Sequence, residues 1–219
     1  MKQISFYLRP LQRMVFVSLV LMLICGFIFP LALAELGKVA FPWQASGSPV
    51  ELDGTVVGMA HVGQAFTQPC FLRGRPSAVN YNTFRVNDRG EHVNADGSVF
   101  SGPASGSANY APSNPALVER VKADIEAFLQ AHPGVKTEDI PTDLLTASGS
   151  GLDPHLSPAS ALIQLPAVSK ASGIDIDTLK RFIEENTCRP MLGIFGEPTV
   201  NVLGVNVAIA KTMKARAVK

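Results

Sequence analysis

One uninterrupted apolar segment near the N-terminus constrains this chain more than any other feature. Residues 14–34, MVFVSLVLMLICGFIFPLALA, form a run of 21 residues without a charged side chain. A helix of about 20 apolar residues spans the hydrocarbon core of a bilayer, whereas a signal peptide has an apolar core of roughly 7–15 residues. Although Ala32-Leu33-Ala34 resembles a cleavage site, the length favours an uncleaved transmembrane helix over a cleaved signal peptide or a buried core helix.

Positive charge predicts the orientation of this helix. Lys2, Arg9 and Arg13 precede the apolar segment, and no acidic residue accompanies them. Only Lys38 lies close to the other end. Because lysine and arginine remain on the cytoplasmic side of a membrane, we expect a single-pass protein of the bacterial inner (plasma) membrane. Residues 1–13 would then be a cytoplasmic N-terminus, and the C-terminal domain would be periplasmic.

The remaining residues predict one extracytoplasmic domain. Residues 44–54 (QASGSPVELDG) are rich in turn-forming residues. We therefore assign residues 35–54 to a linker and residues 55–219 to an α/β (α+β) soluble domain, attached to the single N-terminal transmembrane helix. The net charge is +1, and three positive charges precede the apolar segment. The domain is therefore slightly acidic and has no basic stripe, which argues against a nucleic-acid partner.

Capping residues and prolines predict the helices of this domain. Serine, asparagine and aspartate can cap the first turn of a helix, and proline suits its first position. By these signals, helices follow Ser113-Asn114-Pro115, Ser157-Pro158 and Asp175 or Asp177, with a kink at Pro166 and short helices over 141–147 and 207–213. Strands are predicted over 55–60 and 65–72 and from residue 198 onward, and residues 79–114 predict a long ordered loop.

Two cysteines fall in the part of the chain that is predicted to be exported. Cys70 and Cys188 would face an oxidising compartment, in which disulfides persist. Cys25 lies within the apolar segment. Because a sequence does not place Cα atoms within bonding distance, two alternatives stay open: a Cys70–Cys188 disulfide, or two buried free thiols.

One polar loop concentrates serine, aspartate and histidine. A membrane-anchored exported hydrolase that uses Ser148 or Ser150 together with Asp153 and His155 is one interpretation of it. The Gly-x-Ser-x-Gly signature is absent, because Thr146 stands where its first glycine belongs. A catalytic triad also draws its residues from separate elements. The alternative is a structural loop whose polar side chains bond nearby backbone groups.

Two further features suggest anion binding. Backbone N–H groups in Ser148-Gly149-Ser150-Gly151 could cradle a phosphate, although the Gly-x-x-x-x-Gly-Lys-Ser/Thr motif is absent. The Arg73-Gly74-Arg75 turn could grip a carboxylate, or it could be a solvated basic turn. The four histidines show no paired ligand spacing, so no metal site is expected.

Seven blocks of sequence carry a resemblance to a known family. They are Phe41-Pro42-Trp43-Gln44-Ala45, Gly63-Gln64-Ala65-Phe66, Phe71 with residues 74–78 (GRPSA), Ser113-Asn114-Pro115, residues 145–158 (LTASGSGLDPHLSP), residues 164–168 (QLPAV) and residues 196–203 (GEPTVNVL). In these blocks, which extend over nearly the whole chain, the sequence resembles the C subunit of the Kdp-type potassium-transporting ATPase. One block alone would be unspecific, whereas the set in this order is specific.

The resemblance implies an accessory subunit of a complex that uses ATP to import potassium with high affinity. Its partners in the family are a channel-like A subunit, a P-type ATPase B subunit and a small F subunit. The C subunit is needed for assembly and is described as a catalytic chaperone that raises the ATP affinity of the B subunit. The Asp-Lys-Thr-Gly motif of P-type ATPases is absent here. We therefore expect a non-catalytic subunit that also contacts membrane lipid, binds no metal and no firm cofactor, and meets ATP only through the ATPase subunit.

The same resemblance suggests candidate site residues. Candidates for the ATP-chaperone role are Gln164, Ser148, Gly149, Ser150 and Gly151. Candidates for the partner interface are Trp43, Gln64, Phe66, Arg73, Arg75, Asn114, Asp153 and His155. Because ATP is cytoplasmic and the charge bias places the domain outside, we expect the domain to stabilise or cap the channel-like subunit and to affect ATP use indirectly. Residues 79–112 are longer than the family leads us to expect. A solitary binding module in the cell envelope is the remaining alternative.

Overall fold

The computed structural model of the chain describes residues 2–94 and 97–217. The predicted segments 1–13, 79–112 and 55–219 each include residues outside this part, namely Met1, Ala95, Asp96, Val218 and Lys219. The chain divides into two compact units between Pro49 and Val50.

The first unit is dominated by one long apolar helix. It comprises α1 (Lys2–Leu23), a π-helical turn (Ile24–Ile28) and α2 (Phe29–Ala40). Pro30 lies in the first turn of α2. Because proline has no backbone N–H, it cannot complete the regular α-helical hydrogen bonding, and the helix passes through a wider π turn just before it. The stretch Pro10–Ala40 is long and apolar enough to cross a membrane, and none of its side chains is buried. The predicted span, residues 14–34, lies entirely within it.

The segment predicted as a linker, residues 35–54, carries regular structure. Helix α2 continues to Ala40, and the one-turn helix α3 (Pro42–Ala45) follows. The indole Nε1–H of Trp43 donates to the carbonyl oxygen of Pro49 at 3.0 Å. This hydrogen bond closes the turn that leads into the first strand.

A β-hairpin opens the second part of the chain. Strand β1 (Pro49–Leu52) pairs with β2 (Thr55–Met59). The connecting residues Asp53 and Gly54 have φ angles of 54° and 75°, which is the backbone that Asp-Gly adopts in a type I′ turn. The strand predicted over 55–60 is therefore confirmed.

Helices and short strands alternate in the second unit. Its helices are α4 (Pro115–Ala131), α5 (Pro158–Leu162), α6 (Leu165–Ser172), α7 (Ile176–Glu185) and α8 (Val202–Ala217), with 3-10 turns at Asn80–Asn82, Thr137–Asp139 and Thr142–Leu144. Its further strands are β3 (Arg85–Val86), β4 (His92–Val93), β5 (His155–Leu156), β6 (Thr187–Cys188) and β7 (Thr199–Asn201). An antiparallel sheet in the order β5–β7–β6 pairs His155 with Asn201 and Cys188 with Thr199. The observed architecture mixes helix and sheet, as predicted.

The predicted helix starts are confirmed by their capping hydrogen bonds. The Asn114 side chain accepts from the N–H of Ala116 at 3.0 Å. The Ser157 hydroxyl accepts from Ser160 at 3.2 Å, and the Asp175 carboxylate accepts from Thr178 at 2.8 Å. Where the sequence predicts a kink at Pro166, the helix is interrupted two residues earlier: α5 ends at Leu162, and α6 begins at Leu165 with Pro166 in its first turn.

The core of the second unit lies between the small sheet and helices α5–α8. Its buried apolar side chains include Leu156 of β5, Leu165 of α6, Leu179 of α7, Val200 of β7 and Ile209 of α8. Because β7 is the central strand, its buried Val200 joins the sheet to these helices. The sheet edge at β5 leads directly out of this core into the polar loop that precedes it.

The strand predicted over 65–72 is wrong, because side chains satisfy the backbone that a neighbouring strand would otherwise bond. The Asn206 amide accepts from Leu72 N–H at 2.8 Å and donates to the Leu72 carbonyl at 2.9 Å. Gln164 repeats the arrangement one residue later, accepting from Arg73 N–H at 2.9 Å and donating to its carbonyl at 3.2 Å. We call these two side chains the amide clamp.

The structure also shows whether Cys70 and Cys188 form a disulfide. All three cysteines are free thiols, so the Cys70–Cys188 disulfide is absent. Cys70 is buried ahead of the amide clamp, whereas Cys188 is exposed on the edge strand β6. The alternative of two buried thiols therefore holds for Cys70 alone.

We expect Gln164→Leu to destabilise the second unit. The substitution fills the position with an apolar side chain of similar size, but it leaves the N–H and the carbonyl of Arg73 without their partner. Each unsatisfied buried group costs about 1–3 kcal/mol, so the two groups of Arg73 alone predict a total loss on the order of 2–6 kcal/mol in urea unfolding of the detergent-solubilised chain. Gln130→Leu on the exposed face of α4 is the matched control. Equal unfolding midpoints for the two variants would contradict the clamp.

Candidate functional site

Arg75, Asp153 and His155 converge on one surface of the second unit. The Arg75 guanidinium donates to Asp153 Oδ2 at 3.0 Å, and the two side chains are about a quarter exposed. The other carboxylate oxygen, Asp153 Oδ1, accepts from the backbone N–H of His155 at 3.0 Å and lies 3.6 Å from the imidazole Nδ1. Arg75 also reaches the carbonyl and hydroxyl of Thr146 at 3.4 Å. The arginine therefore joins two separate loops.

A left-handed turn places an aromatic ring behind this ion pair. Asn80, Tyr81 and Asn82 have φ angles of 47°, 51° and 53°, a conformation that costs an L-residue roughly 1–2 kcal/mol. The Tyr81 hydroxyl donates to the carbonyl of Arg75 at 2.5 Å, and the Tyr81 N–H donates to the Ser77 hydroxyl at 2.9 Å. These contacts offset the cost of the turn. Burial, followed by the nearby Asp153 charge, raises the pKa of Tyr81 to about 12, so the hydroxyl stays a donor.

Glycines make room for this ring. A Cβ at Gly63 would lie 2.7 Å from the Tyr81 ring and 2.5 Å from the carbonyl oxygen of Asp153, and one at Gly74 would lie 2.6 Å from the Tyr81 hydroxyl. The N–H of Gly63 also donates to the carbonyl of Leu152 at 2.7 Å. The segments around residues 63, 74, 81 and 153 are thus packed against one another without space for a further methyl group.

Half of the backbone donors of the predicted phosphate cradle are bonded within the fold. The N–H of Ser148 donates to the carbonyl of Pro76 at 3.1 Å, and that of Gly151 donates to Ser148 at 3.3 Å. The carbonyl of Ser150 accepts from Gly106 N–H at 2.7 Å. Two of the four candidate N–H donors are therefore already bonded, and the loop holds neighbouring segments together.

The residues proposed for a hydrolase are only partly brought together. Asp153 and His155 are adjacent, but within the described residues no hydrogen bond joins either serine to His155. The Ser148 hydroxyl is buried and has no partner, and Ser150 Oγ accepts from the N–H of Leu152 at 3.1 Å. Asp153 is engaged by Arg75. The geometry is that of a braced loop.

Asp143 fixes the other end of this loop. Its carboxylate accepts from the N–H of Ser157 at 2.8 Å, from the Ser157 hydroxyl at 3.1 Å and from the Ser160 hydroxyl. Although burial acts to raise the pKa of Asp143, these hydrogen bonds outweigh it and lower the pKa. The carboxylate is therefore ionised at neutral pH and locks the start of α5.

The remaining candidates are distributed more widely. Gln64 donates to the carbonyl of Val57 at 3.0 Å, and Phe66 packs edge-on against Phe71 with ring centroids 6.1 Å apart. Arg73 is held through its backbone by Gln164, which is fully buried. Asn114 caps α4, and Trp43 lies in the first unit. Gln64 and Phe66 thus adjoin the Arg75–Asp153 pair, since they line the same small depression as Asp153.

An open groove of about 620 Å³ lies beside this surface. Ser77 and Thr146 line one wall, Tyr110 belongs to the long loop, and Leu117 and Arg120 come from α4. Arg120 is engaged by Asp124 at 2.5 Å and by the carbonyl of Leu145 at 3.1 Å. No group of three potential metal ligands occurs among the residues that the structure describes.

The long loop contains its own small hairpin. Strands β3 and β4 pair, and the Phe84 ring stacks on His92 with centroids 4.2 Å apart and contacts Phe100 at 5.1 Å. The Ser105 hydroxyl donates to the carbonyl of Ser150 at 3.1 Å. The described residues of the predicted loop are thus ordered and attached to the candidate surface.

Several important residues carry no clear sequence signal. Ser77 and Asn206 act through hydrogen bonds to residues distant in sequence, Gly151 and Leu72 respectively. Tyr81 bonds to its near neighbours Ser77 and Arg75, but its ring packs against Gly63. The only local hint is the Asn-Tyr-Asn run, since asparagine tolerates left-handed backbone. Their roles appear only once the chain is folded.

A helix long and apolar enough to cross a membrane, followed by a unit of mixed helix and sheet with a braced polar surface, is the organisation expected of a membrane-anchored protein. The family model described as "KdpC: K+-transporting ATPase, c chain" matches residues 11–211. The chain therefore belongs to the KdpC family.

Individual relatives agree with this assignment. The chain is 50% identical over 209 residues to the potassium-transporting ATPase KdpC subunit of Clostridium kluyveri, covering 95% of this chain and 97% of the relative. It is 48% identical over 206 residues to that of Clostridioides difficile, covering 94% and 99%. It is 38% identical over 206 residues to that of Caldanaerobacter subterraneus, covering 94% and 97%. The predicted resemblance is confirmed.

We expect Gly63→Ala to disturb the candidate surface, because its Cβ would clash with Tyr81 and with the backbone of Asp153. Overpacking of this kind costs about 1–3 kcal/mol, measurable as a lower thermal midpoint. Gly149→Ala is the matched control, since a Cβ there meets nothing within 4 Å. If the two variants melted together, the close packing described here would be refuted.

Proposed function

We propose that this chain is the accessory, non-catalytic subunit of a potassium-transporting ATPase, needed for assembly of the complex and for stabilising or capping its channel-like subunit. Membership of the KdpC family supports this role. The observation that carries it is the convergence of Gln64, Phe66, Arg75, Asp153 and His155 on one surface that is rigid before any partner arrives. A preorganised surface loses little conformational entropy on binding.

The partners proposed are the channel-like A subunit, the P-type ATPase B subunit and the small F subunit, together with membrane lipid. The exposed apolar side chains of α1 and α2 support contact with lipid and with helices of these subunits. Gly26, Ala32 and Ala34 are small enough to let another helix approach closely. One span alone forms no ion path, so transport depends on the partners.

The effect on ATP is proposed to be indirect. The side chain of Gln164 is fully buried, and its amide donates to the Ser160 carbonyl at 2.9 Å in addition to its bonds with Arg73. Contact with a nucleotide would require breaking all of these bonds. The charge bias that favours a cytoplasmic N-terminus and a periplasmic domain also separates the domain from ATP.

Deletion of this chain should abolish growth at very low potassium, and the tagged protein should co-purify with a large polytopic subunit. We expect His155→Ala to weaken this co-purification several-fold while leaving the fold intact, because His155 is partly exposed on the candidate surface. Lys180→Ala on the exposed face of α7 is the control. Normal growth of the deletion strain under potassium limitation would overturn the proposal.

A reporter enzyme fused after Lys219 tests the topology. We expect an alkaline phosphatase fusion, which is active only outside the cytoplasm, to be active at this position. The same reporter fused after Arg13 should be inactive, because basic residues hold that end inside. A C-terminal fusion that is produced at full length but is inactive would reverse the orientation and restore direct ATP contact as the better explanation.

A further inference from the structure

The connection between β6 and β7 carries an apolar hairpin that the proposed function does not use. Residues 190–196 (PMLGIFG) contain no charged or polar side chain. Met191 and Phe195 form an antiparallel bridge. At the tip, Leu192 and Gly193 have φ angles of 55° and 73°, the left-handed pair of a type I′ turn. The segment is therefore a defined hairpin with its tip at these two residues.

All four large side chains of this hairpin are exposed. Met191 is 70% exposed, Leu192 79%, Ile194 77% and Phe195 64%. These four side chains lie within five consecutive residues, so the hairpin exposes a concentrated set of apolar groups. Contiguous apolar patches of several hundred Å² mark sites of interaction with proteins or membranes.

The backbone of the hairpin favours lipid over a protein groove. The N–H groups of Met191, Gly193, Ile194 and Phe195 all donate to carbonyls within the hairpin, at distances between 2.9 and 3.2 Å. Internal pairing of these four N–H groups lowers the cost of moving the hairpin into an apolar medium. A protein interface instead carries about one hydrogen bond per 100–200 Å², and the side chains of residues 190–196 offer none.

A bilayer is also within reach. Residues 41–49 are all that separates the end of α2 at Ala40 from the second unit. At about 3.3–3.6 Å per residue, the fully extended chain would span at most roughly 35 Å. This is comparable to the diameter of a unit of this size, so the length of the connection lets the hairpin reach the bilayer on either topology.

We propose that residues 190–196 form a membrane-insertion tip that enters the interfacial layer of the bilayer to which the N-terminal helix belongs. The tip gives the second unit a second membrane contact in addition to its covalent anchor. Arg189 and Glu197, which flank the tip, would remain at the level of the headgroups. This proposal does not depend on the partners named above.

Tryptophan quenching tests the proposal with the full-length chain. Trp43 is the only tryptophan, so Trp43→Phe provides a background into which Ile194→Trp is introduced. The protein is reconstituted alone into phosphatidylcholine–phosphatidylglycerol vesicles, with or without bromine atoms on the acyl chains. Val118→Trp on α4, at a side chain of 47% exposure, is the control. Met191→Trp is a second probe in case one variant fails to fold.

We expect about a twofold or larger loss of fluorescence for Ile194→Trp in brominated vesicles, because interfacial segments bury apolar side chains roughly 5–10 Å below the headgroup boundary. The Val118→Trp protein should show little change. Equal quenching of the two would overturn the proposal. Shielding of position 194 that appears only with the partner subunits, and without bromine quenching, would assign the hairpin to a protein groove and would also overturn it.

Discussion

The amide clamp on Leu72 and Arg73 is the interaction on which the second unit depends. A carboxamide presents an N–H donor and a carbonyl acceptor side by side, as a peptide group does, so Asn206 and Gln164 can replace a neighbouring strand. Asn206 belongs to α8, and Gln164 lies between α5 and α6; both are anchored in the apolar core. They therefore hold the backbone of Leu72 and Arg73 against the core. The segment that begins at residue 73 is fixed at its first residue.

The next part of this segment contains strained backbone that its surroundings hold in place. Three consecutive residues adopt left-handed backbone, and the Tyr81 ring fills space that only glycine leaves free at positions 63 and 74. Hydrogen bonds from the Tyr81 hydroxyl and to the Ser77 hydroxyl hold this arrangement. Strained backbone persists only where its surroundings over-determine it. The Arg75–Asp153 pair then joins the two loops, which fixes the surface they form.

The sequence was sufficient where the signals are local. Caps at Asn114, Ser157 and Asp175 predicted helix starts, and the length of the apolar segment predicted a helix able to span a membrane. The contiguous loop containing Asp153 and His155 was also identified as the main polar feature. Non-local features were missed. A separation of 134 residues lies between the partners Leu72 and Asn206, and local apolar composition therefore suggested a strand that the fold does not contain. The Cys70–Cys188 alternative failed for the same reason, since burial of one thiol and exposure of the other depend on tertiary packing.

The burial of Gln164 bears directly on how such a subunit could influence ATP use. Freeing its side chain would leave three backbone groups without partners, at a cost of about 1–3 kcal/mol for each. A nucleotide would have to supply that free energy before gaining any net affinity from the contact. The positive charges before the apolar segment independently favour placing the second unit on the side of the membrane opposite to ATP. Because these two constraints arise from different parts of the chain, they together favour an influence transmitted through the membrane partners.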